Sequence, residues 1–159
     1  NNSDLAVVSL GRGEKPTLDA ALHHVHLGSI TEDRMMAGVF SMAVVFVIPS
    51  LQDNLPNTVL ESMASGTPVV GFRVGGIPDM VRDGENGLLV SSGDVVGLAR
   101  AIETLLTDEG RRACMGIAGR RIAEREYTYR VQAERNSTLY RSLLGETVSR
   151  NGNGQHRRI

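Results

Sequence analysis

The sequence predicts an α/β layered domain with a mostly parallel sheet. Short, almost continuous apolar runs alternate with stretches of helical periodicity, and the runs carry little polar alternation, as strands covered on both faces do. From Asp94 onward the strand signals stop and the pattern is helical. A length of 159 residues with 41% apolar content is the material of one domain with its own core. Seventeen basic residues against 18 acidic ones give a net charge of −1, which offers no global attraction to nucleic acid and argues against a dedicated DNA binder.

Leu5-Ala6-Val7-Val8-Ser9-Leu10 reads as the first strand, covered on both faces, and ends at Gly11-Arg12-Gly13. Residues 17–23 suit a short helix, and Val25-His26-Leu27 a short strand stopped by Gly28-Ser29. Thr31-Glu32-Asp33-Arg34 opens a helix with acid in its first turn, where the helix dipole favours it. That helix is expected to turn Met35, Met36, Val39, Phe40 and Met42 inward. Val44-Val45-Phe46-Val47-Ile48 is the clearest candidate for a central strand.

An eight-residue connection, 49–56, leads into a helix that starts at Asn57 or Thr58 and stops at Gly66. Val69-Val70-Gly71-Phe72 is the next strand. Gly75-Gly76-Ile77-Pro78 is a turn with Pro78 as a first helical residue, and Asp83-Gly84-Glu85-Asn86-Gly87 has turn chemistry before the last strand, Leu88-Leu89-Val90. Val95, Leu98, Ile102, Leu105 and Leu106 then recur at helical spacing, and further helices are expected over 109–126 and 128–144. The polar, glycine-containing stretch 145–159 reads as a disordered tail after a domain spanning 1–144.

One cysteine, Cys114, excludes an intramolecular disulfide framework and is expected to be a small buried apolar residue of its helix. No apolar run reaches the length of about 18–20 residues needed to span a bilayer. The chain opens at Asn1 without an initiator methionine, and a fragment of a longer protein is expected.

In open parallel sheets, ligands bind outside the carboxyl ends of the strands, so chemistry is sought in the loops 11–16, 28–31, 49–58 and 73–79. Gly11-Arg12-Gly13 lacks the third glycine of a dinucleotide fingerprint and reads as a tight turn. His24 and His26 would share one strand face, but no matching carboxylate accompanies them, and no metal site is expected.

Asp53 and Glu61 form the sharper pair, one in the loop and one in the first turn of the following helix. Two carboxylates there can accept hydrogen bonds from a polyhydroxylated ligand, and the free N–H groups of Thr58, Val59 and Leu60 can meet a phosphate. A nucleotide-linked sugar suits that combination. A structural reading stands beside it: Thr58-x-x-Glu61 also matches a capping box, and Asp53-Asn54 a solvated turn.

The stretch 49–70, with Pro49-Ser50, Asp53-Asn54-Leu55-Pro56-Asn57-Thr58, Leu60-Glu61-Ser62-Met63-Ala64 and Gly66-Thr67-Pro68, resembles the signature of the retaining glycosyltransferase family 4, also called group 1. Gly75-Gly76-Ile77-Pro78-Asp79, Gly84-Glu85-Asn86-Gly87-Leu88-Leu89-Val90, Gly93-Asp94 and Val25-His26-Leu27-Gly28 follow the same family pattern in order, so the resemblance covers roughly residues 5–144.

The resemblance implies a GT-B fold, two Rossmann-like doubly wound domains facing a cleft, with this chain as most of the carboxyl-terminal, donor-binding one plus extra helices. It implies transfer of a sugar from a UDP- or GDP-linked donor to an acceptor hydroxyl, without metal or cofactor. Asp53 takes the place of the acid that contacts the donor sugar near the reacting centre, and Glu61 that of the acid that holds the ribose hydroxyls. Backbone contacts to sugar and diphosphate fall on Asn54, Leu55, Asn57, Thr58 and Val59, and Gly75 and Gly76 let the backbone approach the sugar. Asp53 departs from the family's glutamate, which draws the carboxylate back by about 1.5 Å.

The family's basic pair, its acceptor surface and any amino-terminal histidine are expected to lie outside this chain, so the fragment alone is expected to be inactive. Arg12 and Lys15 fall on the strand after that pair and are not assigned its role. The implied partners are a nucleotide-sugar donor and a sugar or lipid-linked acceptor, with no nucleic acid. The implied place is the cytoplasm, with the inner membrane face available to the parent. Two alternatives are a nucleotide-sugar-binding module without activity and a sugar-nucleotide 2-epimerase of the same architecture.

Overall fold

The computed structural model describes residues 5–12 and 22–144. Among the described residues, five short strands pair in two parallel sheets. β1 (Ala6–Ser9) lies beside β2 (His23–His26), while β3 (Phe46–Ile48), β4 (Val69–Phe72) and β5 (Gly87–Val90) form a second sheet in that order. Parallel neighbours require crossovers. α1 (Asp33–Met42) links the two sheets in sequence, α2 (Asn57–Ala64) crosses from β3 to β4, and α3 (Ile77–Met80) lies between β4 and β5. Three helices close the described chain: α4 (Val95–Thr107), α5 (Glu109–Glu126) and α6 (Tyr129–Leu143).

The core forms on both faces of β4, whose four residues are all buried. Successive strand side chains point to opposite faces. Val69 therefore packs in one layer with Ile48, Val59, Met63, Ile77, Met80 and Ile122, and Val70 and Phe72 in the other with Leu98, Ala101, Leu105 and Met115. This is the two-sided helical cover that a parallel sheet demands. The central strand is thus β4, while the segment expected at the centre supplies β3, an edge of its sheet that starts only at Phe46. Apolar composition reports that a strand is covered; it does not report how many neighbours pair with it.

β1 also departs from expectation. It packs extensively only against β2, and Val7 and Val8 are exposed instead of covered on both faces. β2 begins two residues before the expected strand and ends at His26.

α1 turns Phe40 inward, where its ring meets Phe46 edge-to-face at 5.2 Å, with Met36 and Val39 half-buried. Met35 and Met42, expected inward, are exposed. They stand seven residues apart on the flank of the helix, off the Met36/Phe40 side.

α4 and α5 take their expected places and are capped by Asp94 and Asp108, whose side chains accept from the Gly97 and Arg111 N–H groups at 2.8 Å each. Thr128 caps α6 in the same way through Val131 N–H. Val95, in the first turn of α4, is exposed; the buried stripe there is Leu98, Ala101 and Leu105. Cys114 is exposed too, because the stripe of α5 runs through Met115, Gly116, Gly119, Ile122 and Ala123 and leaves position 114 outside it. The buried Asn86 secures the turn before β5: its Nδ2 donates to Met80 O at 3.0 Å and its Oδ1 accepts from Arg82 N–H at 2.6 Å.

Of the helix expected over 17–23, residues 17–21 lie outside the described residues and His23 belongs to β2; the tail 145–159 also lies outside them. Among the described residues no helix is long and apolar enough to cross a membrane.

Candidate functional site

The loops at the carboxyl ends of β3 and β4, the 49–56 segment and the 73–76 turn, converge and carry α2 and α3 behind them. Gly75 has φ +50, a conformation that favours glycine, and a Cβ on it would overlap the Asp53 carbonyl oxygen; one on Gly76 would overlap that of Asn54. Gly76 N–H also donates to Asp53 O at 3.3 Å. The two glycines therefore seat the acid-bearing loop against the β4 turn, and the Asp53 backbone is held from behind. Asp53 itself is half-buried.

Pro56 ends the loop buried and is the N-cap of α2, with no side-chain capping bond. The helix begins at Asn57, so its tip presents the Asn57 and Thr58 N–H groups. Val59 N–H is engaged with Pro56 O at 3.0 Å, which moves the open tip one residue ahead of the expected 58–60.

The capping box does not form. Thr58 sits inside the helix, and Glu61 makes no bond back to the helix start. Instead its Oε2 is buried and has no hydrogen-bond partner among the described residues. Burial pushes the Glu61 carboxyl above its ordinary value, and the negative charge of Asp33 adds to the push. A carboxylate oxygen held from water without a donor is costly to ionise. It has the valence to accept hydroxyl donors from outside the chain, and the helix tip four residues earlier favours an anion.

The structure thus gathers Asp53, Asn54, Leu55, Asn57, Thr58, Val59, Glu61, Gly75 and Gly76 on one loop, one helix start and one turn. Asp33 is a neighbour of Glu61 that sequence reading assigned only to the α1 dipole; nothing in the linear spacing places it beside α2.

On the other sheet, His24 and His26 do share a face. Ser9 Oγ lies 2.8 Å from His24 Nε2 and 2.8 Å from His26 Nδ1. Among the described residues no cluster of three His, Cys, Asp or Glu that could hold a metal is found. Arg12 is exposed and Lys15 lies outside the described residues.

The family of group 1 glycosyl transferases matches residues 1–108. The chain belongs to that family. Among curated relatives of this group 1 chain, D-inositol 3-phosphate glycosyltransferase of Corynebacterium diphtheriae is 39% identical over 105 residues, which is 66% of this chain and 24% of the relative. The chain therefore spans about a quarter of that relative's length. Among solved structures, sucrose-phosphate synthase from Thermosynechococcus elongatus superposes with a TM-score of 0.71 at 32% identity, over 79% of this chain and 31% of that one. HepE of Anabaena, solved in complex with UDP-glucose, superposes with a TM-score of 0.66 over 77% of this chain and 33% of that one. At 22% identity the second likeness is one of fold. The fold of this group 1 chain is that of GT-B carboxyl-terminal domains, and it matches about a third of the length of those two solved chains.

Proposed function

We propose that residues 1–144 are the nucleotide-sugar-binding domain of a retaining glycosyltransferase that moves a sugar from a UDP- or GDP-linked donor to an acceptor hydroxyl. The observation that carries this reading is Glu61: a buried, unpartnered carboxylate oxygen beside an open helix tip. Ribose hydroxyls supply the missing donors, and the diphosphate lies at the Asn57 and Thr58 N–H groups. As the bond from the anomeric carbon to the phosphate oxygen breaks, its electron pair stays on the diphosphate. The helix tip meets that growing charge with fixed N–H dipoles, which supports a reaction without metal or cofactor. Asp53, on the loop seated by Gly75 and Gly76, faces the donor sugar. The acceptor, a sugar or lipid-linked hydroxyl, is brought by the other half of the parent enzyme, working in the cytoplasm or at the inner face of the membrane; polysaccharide biosynthesis is the setting this suits.

Asp53→Ala tests the sugar-facing role. Free UDP or GDP is expected to bind nearly as before, while the sugar-linked form weakens by about 1 kcal/mol. Calorimetric titration of both ligands reads the difference, and an equal loss for the two removes Asp53 from the sugar. The overall activity is tested on the full-length parent. Donor turnover to free nucleotide with retained anomeric configuration supports the reading, and an epimerised sugar as product overturns it.

A further inference from the structure

We infer that Tyr127 is a positioning residue of the donor site: its hydroxyl fixes α3, and with α3 the Gly75-Gly76 turn on which the Asp53 loop is seated, so that the gain in affinity from the attached sugar depends on it. This rests on the reading of Asp53 as the acid that faces the donor sugar. Tyr127 is the C-cap residue of α5. It lies beyond residues 1–108, the span that the family matches, and far in sequence from the loop it serves.

α3 cannot hold its own place. It is a single turn, Ile77–Met80, with Gly76 as its N-cap, and so short a helix has little stability of its own. Its last carbonyls lack intrahelical partners. Two side chains from elsewhere supply them. Asn86 Nδ2 donates to Met80 O at 3.0 Å, and Tyr127 OH donates to Asp79 O at 2.8 Å across 48 residues of sequence. At the other end of the same turn, Gly76 N–H donates to Asp53 O, and Gly75 and Gly76 leave no room for a Cβ against the 53–54 backbone. A shift of α3 is therefore passed to the acid-bearing loop over one helical turn.

The hydroxyl is the specific element of this anchor. The Tyr127 ring packs on the buried cluster that holds Ile77, Met80 and Ile122. Arg82, just past α3, pairs with Glu126 at 2.6 Å beside Tyr127, but both side chains are partly exposed, and such pairs contribute little. The bond to Asp79 O is short and directional. Burial, and after it the charge of Glu126, holds the phenol above its ordinary value, so it stays a donor across the neutral range. α5 is itself fastened to the end of α2, where a Cβ on Gly116 would overlap Gly66 O, so the anchor and the helix that carries Glu61 share one support.

Tyr127→Phe removes the hydroxyl and keeps the ring. Asp94→Ala is its control: it removes the N-cap bond of α4, at a similar cost to stability, on the face of β4 opposite Ile77 and Met80. Amide hydrogen exchange of the unliganded chain, and calorimetric titration of UDP, UDP-glucose, GDP and GDP-mannose, read the two consequences. In Tyr127→Phe the Gly76 amide is expected to exchange about fivefold faster, the loss of one hydrogen bond. The advantage of the sugar-linked nucleotide over the free one is expected to fall by about the same factor, while the free nucleotide binds as before. Asp94→Ala is expected to change neither. Unchanged Gly76 exchange, an intact sugar advantage, or equal effects in Asp94→Ala overturns the inference; if Asp53→Ala still lowers the sugar advantage, the donor-site reading stands without it. If no nucleotide binds, or if Asp53→Ala leaves the sugar advantage intact, the donor-site reading itself fails and takes this inference with it.

Discussion

Removing the Glu61 carboxylate is expected to lower nucleotide affinity by about 1.5–3 kcal/mol, the worth of hydrogen bonds to a charged group, while leaving the unliganded chain folded. The expectation follows from the state of the side chain. Its Oε2 is buried without a donor, and burial and Asp33 both disfavour its charge. In the free chain that charge is a liability; with ribose hydroxyls donating to it, it becomes an asset.

Glu61→Gln separates the two effects. The folded carboxyl holds its proton more tightly than the unfolded one, so the folded chain binds more protons between the ordinary carboxylate range and the raised folded value. Stability from this group is present at acid pH and is lost as pH rises through the folded value. The glutamine variant lacks that loss, so its melting temperature is expected to exceed the parent's near neutrality, with the gain vanishing on acidification. Nucleotide affinity should show the opposite slope and rise as Glu61 ionises. Thermal melts and titrations across that window check both signs. An unchanged affinity with a lower melting temperature would make Glu61 a structural residue.

The same residue shows what sequence could and could not disclose. The loop–helix–turn that carries Asp53, Glu61, Gly75 and Gly76 was legible, because its turn residues and apolar periodicity are local signals. The span of α5, Glu109–Glu126, was legible for the same reason. Whether Glu61 capped its own helix was not. The Thr58-x-x-Glu61 spacing fits a capping box only if Thr58 is the N-cap, and buried Pro56 starts the helix instead. A boundary shift of two residues changes a capping side chain into an unpartnered one.

Neighbours distant in sequence were equally hidden. The acids opening α1 read as dipole partners, since only the packing of α1 on α2 brings Asp33 to Glu61. The place of β4 at the sheet centre depends on pairing on both its edges, which an apolar run does not encode.

Gly75→Ala is expected to cost about 2–5 kcal/mol, from left-handed backbone strain of about 1–2 kcal/mol and overpacking of about 1–3 kcal/mol. For a chain of this length that lowers the melting temperature by roughly 4–20 °C. The cause is local: φ is +50, and the added Cβ would overlap the Asp53 carbonyl oxygen, part of the backbone and unable to rotate away. Gly84→Ala is the control. Gly84 also has positive φ, +83, but nothing lies within 4 Å of its Cβ position, so only the strain of about 1–2 kcal/mol applies. The difference between the two variants isolates the collision. Relief of that collision requires the 53–54 backbone to move off the β4 turn, and Asp53 moves with it. Gly75→Ala that remains folded at low temperature should therefore bind free nucleotide and lose its gain from the attached sugar, as Asp53→Ala does. Equal melting losses for Gly75→Ala and Gly84→Ala, with the sugar contribution intact, would show that the turn does not hold the acid loop in place.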